Sequence, residues 1–354
     1  MRKLILLSIL VAAAMTLSGC SLATNQTKGP TPKIVPNATF IRSTDGGTSW
    51  ESRIAVDEKK TIASVNVLSV VVHPIDPNIV YLGTETDGIF VTKNNGETWE
   101  NVPFADSVYG LVIDRQNPNI MYGSGVVNKR AKIYKREAED QEWKEIYTEP
   151  AEGTMISSLA VDPNNGHVLY AGTNEGVIIK SVNAGATWQN MTKAEGPVTN
   201  IVMDARNTSQ VYFGVFQFGI LRSRNAGGQV DDITKNIDKL NVRSSIFTIV
   251  TDPFRSGLIY AGTDKGIMRS FNNGDDWESL NIIESSKAFP IRAIAINPVD
   301  SREIIYSSAK ALYISKDAGA KWATFHLDTG KSIGMIKYNA FNPQIIYAGL
   351  RSFD

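Results

Sequence analysis

Short apolar runs recur along the chain at nearly regular intervals, and each ends in a tyrosine that is usually followed closely by glycine. The seven runs end at Tyr81, Tyr122, Tyr170, Tyr212, Tyr260, Tyr306 and Tyr347. Successive tyrosines are 41, 48, 42, 48, 46 and 41 residues apart. A period of this length matches four short strands per unit and is typical of one blade of a β-propeller.

A second apolar run precedes each tyrosine run and ends in a turn rich in Pro, Asn and Asp. Several of these runs, such as VLSVVV at residues 67–72, are almost continuously apolar. Continuous apolarity indicates a strand that is buried on both faces. Because each propeller blade lies between two neighbours, whereas a sandwich exposes one face of each sheet, the pattern favours a propeller and predicts these runs as its innermost strands.

A polar turn of eight residues follows the tyrosine run in most units. It reads STDGGTSW (43–50), TKNNGETW (92–99), SVNAGATW (181–188), SFNNGDDW (270–277) and SKDAGAKW (315–322). We expect the third residue to form hydrogen bonds with backbone groups across the turn. The fifth residue is a glycine and should adopt a backbone conformation that a β-carbon would penalise. The tryptophan at the end should bury its ring. The predicted structural residues are Asp45, Trp50, Asn94, Trp99, Asn183, Trp188, Asn272, Trp277, Asp317 and Trp322.

This turn resembles the Asp-box, also called the bacterial neuraminidase repeat. With the tyrosine runs, it makes residues 38–354 similar to sortilin-type propellers, photosystem II assembly-factor propellers and xyloglucanases. Two units, YKREAEDQEW (134–143) and SRNAGGQV (223–230), depart from the box, so the geometry of their turns is open. The resemblance implies either a protein-binding assembly factor or a protein that acts on polysaccharide.

The two ends of the chain each supply an incomplete unit. Six units pair a tyrosine with a following turn, and Trp50 and Tyr347 are left over. We therefore predict an all-β fold with a single seven-bladed β-propeller, in which an outer hairpin from residues 38–52 and inner strands from 333–349 form one composite blade. Such closure removes unpaired sheet edges.

The first twenty residues differ from the rest of the chain. Arg2 and Lys3 precede an apolar stretch at 4–15 that is too short to span a bilayer, and Leu17-Ser18-Gly19-Cys20 follows. This resembles a bacterial lipoprotein signal, which implies a signal peptide at 1–19 and a lipid on Cys20. An ordinary secretory signal with an incidental cysteine is the alternative. Polar, proline-punctuated residues 20–37 then predict a tether, and the body is expected on the extracytoplasmic side of a bacterial membrane.

Charge and motifs restrict the function classes. The 36 basic and 36 acidic residues balance, which gives no support for a nucleic-acid partner. Cys20 is the only cysteine, so no disulfide forms within the chain. The sequence lacks G-x-S-x-G, a Gly-rich phosphate loop and H-E-x-x-H, and we predict no catalytic residue, cofactor or metal.

Candidate binding residues lie in the loops that enter the inner strands or follow the tyrosine runs. They are Lys129 and Arg130 in a basic loop, Phe216 and Phe218 in VFQFG, and Arg243 and Arg292 before or within inner strands. Loop aromatics beside basic residues are typical of a protein-binding surface, although the phenylalanines could equally fill the groove between blades. The leading hypothesis is a non-enzymatic, membrane-anchored protein-binding scaffold or assembly factor. The alternative is a carbohydrate-binding or xyloglucanase-like surface protein.

Overall fold

The computed structural model describes residues 34–137, 142–238, 245–283 and 289–353. These residues form seven four-stranded antiparallel sheets and one short helix, α1 (Thr234–Asp238). We number the sheets as blades 1 to 7 in chain order. The predicted all-β, seven-bladed propeller is confirmed.

Blades 1 to 6 each take four consecutive strands, from the innermost to the outermost. Blade 1 has β3 (Val67–Val72), β4 (Val80–Thr84), β5 (Ile89–Thr92) and β6 (Glu100–Val102), and blade 2 has β7 (Gly110–Ile113), β8 (Ile120–Val127), β9 (Arg130–Glu137) and β10 (Lys144–Glu152). Blade 3 has β11 (Ile156–Asp162), β12 (Asn165–Thr173), β13 (Val177–Ser181) and β14 (Gln189–Lys193), and blade 4 has β15 (Val198–Met203), β16 (Val211–Val215), β17 (Gly219–Ser223) and β18 (Asp231–Asp232). Blade 5 has β19 (Ile246–Thr251), β20 (Ile259–Thr263), β21 (Gly266–Ser270) and β22 (Glu278–Leu280), and blade 6 has β23 (Ile291–Asn297), β24 (Asp300–Ser308), β25 (Ala311–Ser315) and β26 (Ala323–His326).

Blade 7 joins the two ends of the propeller. It combines β1 (Phe40–Ser43) and β2 (Glu51–Ser52) with β27 (Ser332–Tyr338) and β28 (Ile346–Arg351), in the order β2-β1-β28-β27. Phe40 pairs with Gly349 and Ser43 with Ile346 across the junction. Each inner strand packs on the next, and β27 packs on β3, so the ring closes. The composite blade expected from the unpaired chain ends is confirmed.

The core is divided among the seams between neighbouring blades. At the seam between blades 7 and 1, Phe40, Val67 and Tyr347 are fully buried in one apolar cluster with Trp99. The Phe40 ring meets the Trp99 ring edge-on at 4.9 Å and stacks on Tyr347 at 5.7 Å. These contacts explain the continuous apolar runs, because residues on both faces of a blade meet a neighbour.

The repeated turn has the geometry expected from its sequence. In the first copy, Gly47 N–H donates to Ser43 Oγ at 2.8 Å, Ser49 N–H donates to Asp45 Oδ1 at 2.9 Å, and Trp50 Nε1–H donates to the Gly47 carbonyl at 3.1 Å. The fifth-position glycines all have φ between 85° and 92°, and the fourth residue is also left-handed, including alanine at three positions. The divergent copy of blade 4 keeps the two backbone bonds, since Gly227 N–H donates to Ser223 Oγ at 2.7 Å and Gln229 N–H donates to Asn225 Oδ1 at 2.8 Å. Val230 stands in place of the tryptophan, so the indole bond is absent there.

A cationic side chain on the third strand clamps the turn of the next blade. Arg42 Nη1 donates to the Asn95 carbonyl at 2.6 Å, and Arg222 Nη1 donates to the Asn273 carbonyl at 2.7 Å. Arg269 and Lys180 reach the corresponding carbonyls of Ala318 and Ala226 at 2.9 and 2.6 Å. Each carbonyl belongs to the fourth residue of a turn. The strained turn therefore connects two strands of its own blade and also anchors the preceding blade.

The predicted signal peptide at residues 1–19 and Cys20 fall outside the described residues, as does most of the predicted tether at 20–37. Their assignment stays a prediction. Within the described ranges, no helix has the length and apolarity needed to cross a membrane.

Candidate functional site

The inner strands of six blades begin with a β-bulge at the same end of the propeller. The extra residues are Leu68, Ser157, Thr199, Phe247, Arg292 and Gly334. A bulge leaves one residue outside the ladder and redirects its side chain. The bulges therefore define six equivalent positions around one end of the ring, and the side chains at these positions differ from blade to blade.

Two of these side chains hold neighbouring blades together. Ser157 Oγ donates to the Val198 carbonyl at 2.6 Å, and Thr199 Oγ1 donates to the Ile246 carbonyl at 2.8 Å. The following two bulge positions carry Phe247 and Arg292, which have no hydroxyl with which to make this bond. Their side chains contact other aromatic and cationic residues instead.

These contacts form a continuous row across four blades. The Phe216 ring meets the Phe247 ring at 5.7 Å, and the Arg292 guanidinium lies 4.6 Å from the Phe247 centroid. Arg292 also lies 4.0 Å from the Phe353 centroid, and Arg351 lies 4.2 Å from the same ring. We call Phe216, Phe247, Arg292, Phe353 and Arg351 the arginine–phenylalanine row. All five residues are partly buried and partly accessible.

A glycine makes room for the end of the row. A β-carbon on Gly334, the bulge residue of β27, would lie 3.5 Å from the Phe353 ring and 3.6 Å from the Arg351 side chain. A long side chain at this position would compete with both for the same space. The arginine and phenylalanine from the chain terminus thus occupy the place where Arg292 projects in the adjacent blade.

The two arginines carry positive charge without a close carboxylate. Among the described residues, the ion pairs within 4.0 Å do not include Arg292 or Arg351. Burial lowers the pKa of Arg292, and the nearby charge of Arg351 lowers it further. Burial also lowers the pKa of Arg351, and the charge of Glu85 acts in the opposite direction without forming an ion pair with it. The Arg351 Nε is buried without a hydrogen-bond partner.

Guanidinium groups stay protonated in proteins. Two positive charges in a partly dehydrated site therefore repel each other, and this repulsion raises the free energy of the unliganded protein. An anionic ligand would relieve this repulsion. Arginine presents paired donors that match a carboxylate, and the phenylalanine rings keep the guanidinium planes in place. The geometry therefore suits a carboxylate that is attached to an apolar group.

The sequence-predicted binding residues fall in different places. Phe216 and Arg292 lie together in the row. Phe218 packs against the apolar cluster between blades 3 and 4, so it fills a groove. Lys129 and Arg130 lie at the β8–β9 hairpin of blade 2, where Lys129 has a φ of 63°. Arg243 lies outside the described residues.

Sequence reasoning missed Phe247, Arg351 and Phe353. A signal for Arg351 exists, because it follows the tyrosine run at the same offset as Phe216, four residues after Tyr347 and Tyr212 respectively. Phe247 likewise occupies the second position of its inner strand, as Arg292 does. Aligning the seven units by structural position would have placed these residues at one end of the ring.

Comparisons with known proteins establish the fold. No protein-family model and no curated protein matches the chain. A GH74 xyloglucanase from Xanthomonas campestris aligns with a TM-score of 0.69 and 16% identity, over 81% of this chain and 51% of the xyloglucanase chain. YCF48 bound to D1 peptide aligns with a TM-score of 0.61 and 16% identity, over 85% of this chain and 98% of the YCF48 chain.

The extracellular domain of a putative one component system from B. thetaiotaomicron aligns with a TM-score of 0.63 and 14% identity, over 85% of this chain and 39% of that chain. This chain spans about half the length of the two GH74 chains with the highest TM-scores reported for it. The neighbours include a protein named as a xyloglucanase and a protein bound to a peptide. At these identities the comparisons show only that this chain and its neighbours share the propeller fold.

Proposed function

We propose that the protein is a non-enzymatic recognition propeller that binds an acidic segment of a protein partner at the arginine–phenylalanine row. The observation that carries this proposal is the pair Arg292 and Arg351, held on phenylalanine rings without a carboxylate partner among the described residues. Arginine and aromatic residues are enriched where protein interfaces concentrate their binding energy. A peptide carboxylate next to an apolar side chain would use both kinds of group.

One structural neighbour supports this proposal. YCF48 is a propeller whose structure contains a bound peptide, and the alignment covers 98% of that chain and 85% of this one. That likeness indicates that a single propeller of this size is sufficient to bind a peptide. An assembly or stability factor of an envelope complex is the role that we propose for such a binding surface.

We propose further that the propeller is held to a bacterial membrane through a lipid on Cys20. The support is the order of charged, apolar and small residues before that cysteine, and the polar stretch that follows it. Cys20→Ser should move the full-length protein from the membrane fraction to the soluble fraction. A Cys20→Ser protein that stays with the membrane to the same extent would contradict the lipid anchor.

The binding proposal is tested by affinity capture of the full-length protein from its own cell envelope. Partners are quantified by mass spectrometry for the wild type, for Arg292→Gln/Arg351→Gln, and for Arg302→Gln. Arg302 is a matched control because it is an exposed arginine, paired with Asp300, near the start of β24 in blade 6. We expect one or more partners to be lost at least tenfold from the double variant and kept by the control.

Two results would contradict the proposal. One is an unchanged set of partners in the double variant with an unchanged melting temperature. The other is equal loss in the Arg302→Gln control, which would show a general effect of net charge. If partners are lost, competition with a synthetic acidic peptide and with its amidated form determines whether the carboxylate is required.

The carbohydrate alternative is favoured by a separate observation, an aromatic cavity between blades 1 and 2. The lining residues of that cavity are distinct from the arginine–phenylalanine row. Binding of sugar there would be compatible with protein recognition at the row. The cavity is lined by Pro103, Phe104, Ala105, Tyr134, Glu142 and Trp143.

A further inference from the structure

Lys337 lies in an inner strand at a position where the other blades have apolar residues. In blades 1 to 6, the inner-strand residue that pairs with the tyrosine of the second strand is Val71, Val112, Ala160, Val202, Val250 or Ile294. In blade 7, Lys337 of β27 pairs with Tyr347 in the same way. The fold therefore accepts an apolar side chain at this position and does not itself require a lysine.

The Lys337 side chain reaches water beside the central channel of the ring. Residues that pair directly across a ladder lie on the same face of the sheet, and Tyr347 is fully buried against blade 1. Lys337 therefore leaves blade 7 on the side of blade 1, yet it is exposed. Because β27 is the innermost strand of its blade, the side chain meets solvent at the channel, near the end at which the inner strands finish.

A second cation at this end of the ring departs from the repeat in a comparable way. Arg115 follows Asp114 in the turn between β7 and β8, and it is exposed. The corresponding turn residues of the other blades are uncharged, and they are Pro74, Pro163, Ala205, Pro253, Pro298 and Ala340. Arg115 of blade 2 and Lys337 of blade 7 thus lie on the two blades that flank blade 1.

No close carboxylate balances the two cations. Among the residues that the structure describes, the ion pairs within 4.0 Å do not include Lys337 or Arg115. In the turns of blades 1 and 2, Asp76 and Asp114 each accept a backbone N–H of their own turn, at 2.9 and 2.8 Å. Although water reaches Lys337, the surrounding strands limit its hydration, so burial lowers its pKa and the nearby charge of Arg115 lowers it further. An anion between the two groups would remove this repulsion.

We propose that Lys337 and Arg115 form a binding site for a tetrahedral oxyanion of the phosphate class at this end of the channel. The lysine supplies a compact charge with three donors, and the guanidinium supplies a planar fork of donors. A tetrahedral oxyanion presents oxygens in several directions and accepts from both groups at once, whereas a carboxylate is matched by the guanidinium alone. The arginine–phenylalanine row lies where the inner strands begin and Lys337 lies where they end, so the inference does not depend on protein binding at the row.

Substitutions that restore the repeat pattern test the site. Lys337→Val introduces the residue of blades 1, 2, 4 and 5, and Arg115→Ala introduces the residue of blades 4 and 7. Lys316→Val is the matched control, because Lys316 is an exposed lysine in the repeated turn of blade 6 and Val182 has the same place in blade 3.

The binding of anions is measured by calorimetry on the full-length protein at constant ionic strength. Inorganic phosphate, glycerol 3-phosphate and acetate are titrated separately. Each substitution is combined with Arg292→Gln/Arg351→Gln, so that an anion at the arginine–phenylalanine row does not contribute. Melting curves with and without phosphate provide a second measurement of binding and show which variants are folded.

We expect phosphate or glycerol 3-phosphate to bind at one site per chain, at least tenfold more tightly than acetate. The affinity should fall at least tenfold in Lys337→Val and in Arg115→Ala and stay unchanged in Lys316→Val. Tighter binding of the free ion or of the ester identifies the form of the ligand, and either result supports the site.

Two results would overturn the proposal. One is that neither phosphate compound binds more tightly than acetate. The other is that Lys337→Val and Arg115→Ala weaken binding no more than the control does. Arg115→Ala changes an exposed turn residue to the residue of two other blades, so it carries the test alone if Lys337→Val does not fold.

Discussion

Replacing Arg42 by alanine should weaken the seam that closes the ring. The Arg42 side chain is 7% exposed and donates to the Asn95 carbonyl of blade 1 at 2.6 Å. It also pairs with Glu51 at 2.8 Å and with Glu97 at 2.9 Å. The substitution removes the clamp between the N-terminal hairpin and blade 1 and leaves every side chain of the arginine–phenylalanine row in place.

The size of the effect follows from these contacts. A hydrogen bond from a charged donor contributes about 1.5–3 kcal/mol. Glu51 and Glu97 are 40% and 47% exposed, so each ion pair adds only about 0.5 kcal/mol because water replaces the arginine. Arg42 Nε is buried without a partner, which offsets part of the gain. We expect a net loss of about 2 kcal/mol, or a fall in melting temperature of about 4 °C for a domain of this size.

Equilibrium unfolding in urea and thermal melting measure this loss. Arg302→Ala is the control, because Arg302 is 73% exposed and pairs only with nearby Asp300, and it should change stability by less than about 0.5 kcal/mol. Arg222→Ala, which removes the corresponding clamp between blades 4 and 5, should match Arg42→Ala. A loss for Arg42→Ala no larger than for Arg302→Ala would refute the clamp.

Three further predictions concern closure, turn strain and acidity. Deleting residues 346–354 removes β28, whose fully buried side chains contribute more than about 5 kcal/mol. This loss is comparable with the free energy of unfolding of a domain, so an unchanged melting curve would contradict the closure. Gly47→Val should lower the stability by more than about 2 kcal/mol, because its β-carbon would lie 2.2 Å from a neighbouring side chain. Gly153 is also left-handed but faces open space, so Gly153→Val should lower the stability by about 1 kcal/mol. Equal losses would show that the contact with the neighbouring side chain does not matter. The hydrogen bond from Arg222 lowers the pKa of Asp275, so the stability it contributes is present above about pH 4 and is lost as pH falls below. Urea unfolding of Asp275→Asn should show a shallower loss between pH 6 and 3 than the wild type, and parallel curves would oppose the assignment.

Only a comparison of neighbouring blades distinguishes a packing phenylalanine from a binding one. Phe216 and Phe218 are two residues apart, and the sequence supports both interpretations for each. In the structure Phe216 faces Phe247 of the next blade, whereas Phe218 packs between blades 3 and 4. The turn residue between them, Gln217, has a φ of 56°, and this local bend directs the two rings differently.

The sequence by itself determined the number of blades, the composite seventh blade and the bonds of the repeated turn. These features depend on strand period and on hydrogen bonds between residues at most a few positions apart, so the order of residues suffices to predict them. The arginine–phenylalanine row, the interblade clamps and the aromatic cavity were decided by tertiary structure alone. The residues of each of these features come from different blades, as Phe216 and Phe353 do in the row. The distances between them depend on how the ring closes and on the bulges that turn side chains toward one end of the ring.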